Sequence, residues 1–231
     1  EAALEPWFAR MEARLGIAPW TVPPNENNDL LRRGAARLGV ATGRIARNVQ
    51  GCWNIGYCGM GCPTNAKQSM LVTTLPAALD RGARLVCRAR ADRLILAGDR
   101  AVRLECSALD PLGVVPSGAR IVLRARHYVL AAGAIGTPAL LLRSGAPDPH
   151  RNVGRRTFLH PTVISAAVMP QPVRGHAGAP QTVFSDHYLD NLPIDGPIGF
   201  KLEVPPLHPV LFATTLQGFG TAHAALMADF P

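Results

Sequence analysis

Residues 128–145, YVLAAGAIGTPALLLRSG, join a predicted buried strand to a predicted helix through residues that have almost no side chain. The run at 128–132 is short and apolar, which is typical of a parallel-sheet strand covered on both faces. Thr137 offers a capping hydroxyl and Pro138 suits the first helical position, so the helix is predicted to begin there and to end at Gly145. A helix N-terminus that faces a glycine turn can bind a phosphate or an electron-rich ring. The alternative is a tight turn that binds no ligand.

Three predicted strands precede this stretch. Their sequences are ARLVCRARADRLILA at 83–97, AVRLECSALD at 101–110 and ARIVLRARHYVLAAG at 119–133. Short turns between alternating runs indicate a three-stranded antiparallel excursion whose last strand leads into the predicted helix. With the buried strand at its end, this pattern predicts the α/β class.

Helices are predicted before this sheet and irregular structure after it. The apolar spacing predicts helices over about 5–15, 29–38 and 69–81, and the asparagines at 27 and 28 with Asp29 offer caps for the second. From residue 148 onward Pro, His and Gly become frequent, which indicates entry into a second domain with strands near 163–168 and 210–215.

A loop rich in glycine and cysteine, GCWNIGYCGMGCPTNAKQSM, occupies residues 51–70. Cys52, Cys58 and Cys62 could hold an iron-sulfur cluster, because soft thiolates match iron and glycines let the backbone wrap around it. The alternatives are reduced thiols packed as small apolar residues, or one disulfide. Cys87 and Cys106 lie on predicted strands and are expected in the core. No spacing typical of a zinc site occurs, so no metal ligand is assigned.

The chain carries a formal charge of +8, from 24 Lys+Arg and 16 Asp+Glu. These cations are scattered and not gathered into a stripe, which argues against nucleic-acid binding, although a non-catalytic basic binding module stays as an alternative of another class. No apolar run reaches the ~18 residues of a membrane span. The first residues predict an amphipathic helix and not a signal peptide, which favours the cytoplasm. We expect an internal piece of a longer protein.

Three segments together resemble the glucose-methanol-choline (GMC) family of flavin oxidoreductases. They are ALDRGARLVCRARADRLI at 78–95, VLAAGAIGTPALLLRSGAP at 129–147 and NVGRRTFLHP at 152–161. The loop GYCGMGCPTNAKQSM at 56–70 is similar to that of bacterial alcohol dehydrogenases and long-chain alcohol oxidases of this family. The resemblance implies a partial FAD-binding, Rossmann-like domain with an antiparallel excursion, followed by the start of an α+β substrate domain. The implied divisions are a helical segment at 1–50, the FAD-binding part at 51–158 and the incomplete substrate domain at 159–231.

The resemblance also implies where FAD is bound. Ala91 would lie beside the adenine, which is read by backbone groups, and Ala131, Ala132 and Gly133 would lie against the dinucleotide. Thr137, at the predicted helix start, is assigned to the same site. The glycine fingerprint for the pyrophosphate does not occur in this chain, and no residue of it is assigned as catalytic.

The implied reaction is oxidation of the CH-OH group of a small-molecule alcohol, with hydride transfer to flavin N5 and oxygen or a redox partner as electron acceptor. The catalytic histidine is expected outside this chain, which by itself is predicted to be inactive. An alternative within the family is an iron-sulfur dehydrogenase that passes electrons from the cysteine loop to a cytochrome.

Overall fold

The computed structural model describes residues 2–189 and 199–230. In these residues the helices are, in chain order, α1 (Glu5–Leu15), α2 (Glu26–Arg37), α3 (Thr74–Leu79), α4 (Gly133–Ser144), α5 (Pro209–Ala213) and α6 (Thr221–Ala228). The strands are β1 (Ile17–Pro19), β2 (Gly43–Arg44), β3 (Ala46–Asn48), β4 (Ala89–Ala97), β5 (Arg100–Leu109), β6 (Pro116–Leu123), β7 (Val183–Tyr188) and β8 (Phe200–Glu203).

The chain divides into two compact units. The central unit is Arg84–Ala166, and the discontinuous unit combines Glu1–Ala83 with Ala167–Pro231. The domain ranges predicted from the sequence stay a prediction. Within the described part of the chain, every helix is too short or too polar to cross a membrane.

The central unit contains the predicted antiparallel sheet, in which β4, β5 and β6 pair in sequence order. This sheet confirms the prediction. The pattern succeeded because alternating apolar residues and short turns specify pairing between neighbouring segments. Helix α4 packs on β4, and Leu94, Cys106 and Leu140 form the buried contacts of this unit. Cys106 is therefore a core residue as predicted, whereas the prediction for Cys87 is wrong because that thiol is exposed.

The last turn of α4 is bonded to the middle of β4. The Ser144 hydroxyl accepts a hydrogen bond from the Leu94 amide at 2.9 Å and donates one to the Leu140 carbonyl at 2.6 Å. Ser144 is buried, and these two hydrogen bonds satisfy its hydroxyl within the central unit. Gly145 then ends the helix in the left-handed conformation, with φ of 62°, as predicted.

Two predictions for the 128–145 stretch are wrong. Residues 128–132 form no strand and pair with no strand among the described residues, and Val129 is 89% exposed. A strand is held by hydrogen bonds to a neighbour, so an apolar run alone does not make one. Helix α4 begins at Gly133, four residues before Thr137, and Pro138 lies inside it.

The discontinuous unit holds α1 where it was predicted, and α2 three residues earlier than predicted. Asn25 and not the 27–29 group caps α2, because its side-chain oxygen accepts from the Asn28 amide at 3.0 Å. The predicted helix at 69–81 is shortened to α3, with turns before it. Strands β2, β7 and β8 form an antiparallel sheet in that order, and β1 pairs with β3.

The strands predicted near 163–168 and 210–215 are wrong. Residues 163–168 form no ladder and are exposed. Residues 210–213 belong to α5, which starts at Pro209, where the fixed backbone angle of proline favours the first helical position. Apolar runs of five or six residues fit either a strand or a short helix, and here proline decides for the helix.

Candidate functional site

The start of α4 is an open helix N-terminus. Residues 131–135 are exposed, and the N-cap Ala132 has no side-chain oxygen to cap the helix. Gly133 has φ of 74°, and a Cβ built on it would meet no atom within 4 Å. The amides of the first turn have no partner inside a helix, and the helix dipole makes this end positive. Space and donors for an electron-rich ligand therefore coincide at Gly133.

Thr137 fixes the peptide that precedes this turn. Its hydroxyl oxygen accepts a hydrogen bond from the Ala132 amide at 2.9 Å. The hydroxyl was expected to cap the first turn of a helix beginning at Thr137, and instead it lies one turn inside the helix and bonds backward. The structure thus brings Ala132, Gly133 and Thr137 together, with Ala131 adjacent in the chain.

Ala91 lies at a second place, near the other end of α4. Arg143 in the last turn of α4 donates from Nη2 to the Ala91 carbonyl at 3.3 Å and from Nε to the Asp92 carbonyl at 3.2 Å. Arg143 follows Gly133 by ten residues, which is about 15 Å along a helix. The predicted residues therefore form two groups at the two ends of α4, a separation that only an extended ligand would span.

Polar side chains that the sequence did not single out contact Asp92, the residue after Ala91. Asp92 accepts from the Ser107 hydroxyl at 2.5 Å and from Arg90 Nε at 2.8 Å. The Ser107 hydrogen bond, followed by that of Arg90, lowers the pKa of the Asp92 carboxyl, so Asp92 is ionised at neutral pH. A chain with scattered arginines gives no signal that distinguishes Arg90 or Arg143, and the cross-strand position of Ser107 depends on the sheet register.

The three cysteines of the 51–70 loop have separate partners. Cys52 Sγ accepts from the Asn54 amide at 3.3 Å, and Cys58 Sγ from Arg47 Nη2 at 3.6 Å. Cys62 Sγ accepts from the Ala66 amide at 3.2 Å.

Over residues 2–189 and 199–230, no three Cys, His, Asp or Glu side chains are grouped to hold a metal ion. All five cysteines are free thiols. Neither the iron-sulfur nor the disulfide interpretation has support in this geometry.

The Cys62 thiol has a lowered pKa. Hydrogen bonds from the Thr64 hydroxyl, and then from the Lys67 amide, lower its pKa to about 7. Donors aimed at sulfur favour the charged form, so a large fraction of Cys62 is thiolate at neutral pH.

The reactivity of the Cys62 thiolate should depend on pH. We expect iodoacetamide to modify Cys62 with a midpoint near pH 7, and Thr64→Val, which removes the largest cause of the shift, to move that midpoint upward. Mass spectrometry of the Cys62 peptide measures the rate, with the exposed Cys87 as an internal reference. An unchanged midpoint in Thr64→Val would contradict the assigned cause.

The cysteine loop is fixed to a later part of the discontinuous unit. Asn54 Oδ1 accepts from the Ala179 amide at 2.8 Å. Gly56 is buried with φ of 80°, and a Cβ there would clash with the His176 carbonyl oxygen and lie 3.0 Å from that of Gly178. The glycine is therefore required for close contact between two backbone segments.

A cleft of about 630 Å³ lies elsewhere in the discontinuous unit. Its charged lining residues include Glu26, Asp29, Arg32 and Arg44. Both carboxylates are paired with arginines, Glu26 with Arg174 at 3.1 Å and Asp29 with Arg32 at 2.6 Å. None of the predicted FAD-binding residues lines this cleft.

Comparison with known proteins identifies the family. The family model described as GMC oxidoreductase matches residues 1–162. The GMC-type oxidoreductase y4nJ of Sinorhizobium fredii is 34% identical over 173 residues, covering 75% of this chain and 33% of that protein. Rv0492c, a GMC-type oxidoreductase of Mycobacterium tuberculosis, is 33% identical over 212 residues, covering 90% of this chain and 31% of that protein.

A third relative has a named activity. The long-chain-alcohol oxidase FAO1 of Arabidopsis thaliana is 29% identical over 210 residues, covering 87% of this chain and 27% of that protein. The chain thus spans about a third of the length of the curated relatives it matches. The N-terminal domain of this family binds FAD, and its members are flavoprotein oxidoreductases. From the family model over residues 1–162 and these relatives, the chain belongs to the GMC oxidoreductase family.

Proposed function

We propose that this chain is the FAD-binding part of an oxidoreductase that acts on the CH-OH group of an alcohol. The observation that carries the proposal is the open start of α4, where free amides and empty space meet at Gly133 within the segment that the family model matches. The similarity to the long-chain-alcohol oxidase FAO1 supports an alcohol as the substrate and oxygen as the electron acceptor. A redox partner protein is the other acceptor we consider.

The residues present fit this cofactor in charge and in shape. The amides at the start of α4 favour the phosphate or carbonyl oxygens of a dinucleotide. Ala131, Ala132 and Gly133 let it approach because they project little or nothing from the backbone. Thr137 orders the Ala132 peptide, and Ala91 provides backbone groups for the adenine at the other end of α4.

When bound, FAD supplies the hydride acceptor for oxidation of the alcohol. The part of this chain is to bind and orient the cofactor and to exclude water from its face. We assign no general base to a residue of this chain, and we place the histidine that takes the hydroxyl proton outside it.

Substitution of Ala131 tests the proposed placement. We expect Ala131→Leu to raise the FAD dissociation constant at least about tenfold, because the larger side chain would occupy the space in front of α4 and a loss of 1.4 kcal/mol is tenfold in affinity. Ala119→Leu, on the exposed part of β6, is the matched control and should leave the affinity unchanged. Flavin fluorescence titration of the flavin-free protein measures both constants.

The outcomes separate two failures. These titrations use the whole protein that contains this chain, because the glycine fingerprint for the pyrophosphate does not occur in the chain itself. If the unsubstituted whole protein binds no FAD, the proposed function is wrong. If it binds FAD and Ala131→Leu binds equally well, the function stands but the site lies elsewhere.

A further inference from the structure

Strand β4 contains a β-bulge beside the last turn of α4. Ala91 pairs with Cys106 and Arg93 pairs with Glu105. Asp92 is therefore an extra residue of β4 that has no pairing partner on β5. A bulge bends the strand and changes the direction of its peptide groups, and such bulges are frequent beside active sites. Here the peptide groups whose direction is changed are those of Ala91 and Asp92.

A single guanidinium group holds both carbonyls of this bulge. Arg143 binds the Ala91 oxygen through Nη2 at 3.3 Å and the Asp92 oxygen through Nε at 3.2 Å. The rigid, planar fork of arginine fixes the two acceptors relative to each other, which the single ammonium of lysine cannot do. The next residue, Ser144, bonds the Leu94 amide, so the base of the arginine side chain is itself anchored to β4.

The Asp92 carboxylate interacts electrostatically with Arg143 but forms its ion pair with another arginine. Asp92 directs its oxygens to Ser107 and Arg90, and its ion pair at 2.8 Å is with Arg90. Among the ion pairs of residues 2–189 and 199–230, none includes Arg143, and its side chain is exposed. A guanidinium has five N–H groups, and two of its donor nitrogens serve the bulge. Arg143 thus combines a fixed position with a positive charge that faces solvent.

We propose that Arg143 is a positioning residue for the adenine nucleotide half of bound FAD. It holds the Ala91 and Asp92 carbonyls in the bulged arrangement before the cofactor arrives, so that binding does not have to order this backbone. The inference rests on the proposed function, since it assumes that FAD contacts Ala91. The inference adds Arg143 to the proposed FAD-binding residues. Arg143 lies ten positions after Gly133 and acts on the adenine nucleotide half of the cofactor.

Binding of the two halves of FAD tests the assignment. In the purified, flavin-free whole protein that contains this chain, Arg143→Met keeps most of the aliphatic stem and removes both hydrogen bonds. We expect this variant to raise the dissociation constants of FAD and of ADP by about tenfold, because the two peptide groups of the bulge must then be ordered when the nucleotide binds. The dissociation constant of FMN should stay unchanged. Arg143→Lys should lose most of the affinity as well, because lysine has no fork.

Arg100→Met is the matched control. Arg100 is an exposed arginine at the β4–β5 turn, paired with Ala97 at the far end of the ladder from the bulge, and its removal should change no constant. Isothermal titration calorimetry measures ADP and FMN, and flavin fluorescence measures FAD.

Each result decides the inference. Weaker ADP binding with unchanged FMN binding supports the positioning role. Unchanged ADP binding in Arg143→Met, or equal losses for ADP and FMN, overturns it, since an equal loss means that the substitution disturbs the whole unit. If the unsubstituted whole protein binds neither FAD nor ADP, both the proposed function and this inference fail, whereas FAD binding with an unaffected Arg143→Met variant refutes this inference alone.

Discussion

Asn28→Ala is expected to lower the free energy of unfolding of the protein by about 3 kcal/mol, because it leaves buried backbone amides without an acceptor. Asn28 is 1% exposed. Its Oδ1 accepts from the Thr182 amide at 3.0 Å and from the Val183 amide at 3.2 Å, and its Nδ2 donates to Asn25 Oδ1 at 2.7 Å. Each buried donor left unpaired costs about 1–3 kcal/mol, so the loss of two acceptor contacts dominates the effect.

Urea unfolding followed by circular dichroism measures this change. Asn27→Ala is the matched control, because it removes the same type of side chain from the neighbouring position of α2, where exposure is greater. We expect the control to lower the free energy of unfolding by less than about 1 kcal/mol, as is usual away from buried networks. Alanine has the higher helix propensity, so propensity cannot explain a loss in either variant. A similar loss in both would mean that the hydrogen bonds to residues 182 and 183 are not responsible.

Gly56→Ala is expected to have a comparably large effect, a loss of about 3 kcal/mol in the free energy of unfolding. Two costs combine. The positive φ of 80° strains a residue with a side chain, and the new Cβ would clash with the His176 carbonyl oxygen, a backbone atom that cannot rotate away. The contact between the cysteine loop and residues 176–178 should therefore open or shift.

Gly61→Ala separates the two costs. Gly61 lies in the same loop with φ of 96°, but a Cβ there would meet nothing within 4 Å, so the variant retains the strain and lacks the clash. We expect a loss of about 1 kcal/mol for Gly61→Ala. Urea unfolding gives both values, and alkylation of the half-buried Cys52 and Cys58 should accelerate in Gly56→Ala alone. Equal losses for the two glycines would show that the backbone contact contributes nothing.

The sequence predicted correctly those elements whose stabilising contacts are made between residues close together in the chain. The β4–β5–β6 sheet was predicted because each strand pairs with its neighbour in the chain, so alternation and turn residues contain the information. Helix α1 and its glycine stop at Gly16 were also set by adjacent residues. The apolar run at 128–132 has the composition of a buried strand, but composition does not reveal a pairing partner.

The residues that organise the candidate site were harder to predict. Thr137 was predicted to cap a helix that begins at 137, but its hydroxyl accepts from the Ala132 amide one turn inside a helix that begins at Gly133. Its assignment to the FAD site stays a prediction. Arg143 binds Ala91, 52 residues earlier, and this contact exists only once α4 has packed on β4. The capping role of Asn25 was missed because several asparagines compete within a few positions, and packing of α2 selects among them.

The bond between Asn28 and Thr182 joins residues that are 154 positions apart, and this separation has a consequence for the order of folding during synthesis. The hairpins of the central unit, Arg84–Ala166, connect neighbouring segments and can form as soon as those segments leave the ribosome. Helix α2 is made much earlier, yet its buried asparagine must wait for residues 182 and 183. Although α2 is translated before the central unit, it is therefore among the last of these elements to reach its final packing. In a nascent chain arrested before residue 182, the Asn28 side chain would lack both of its amide donors.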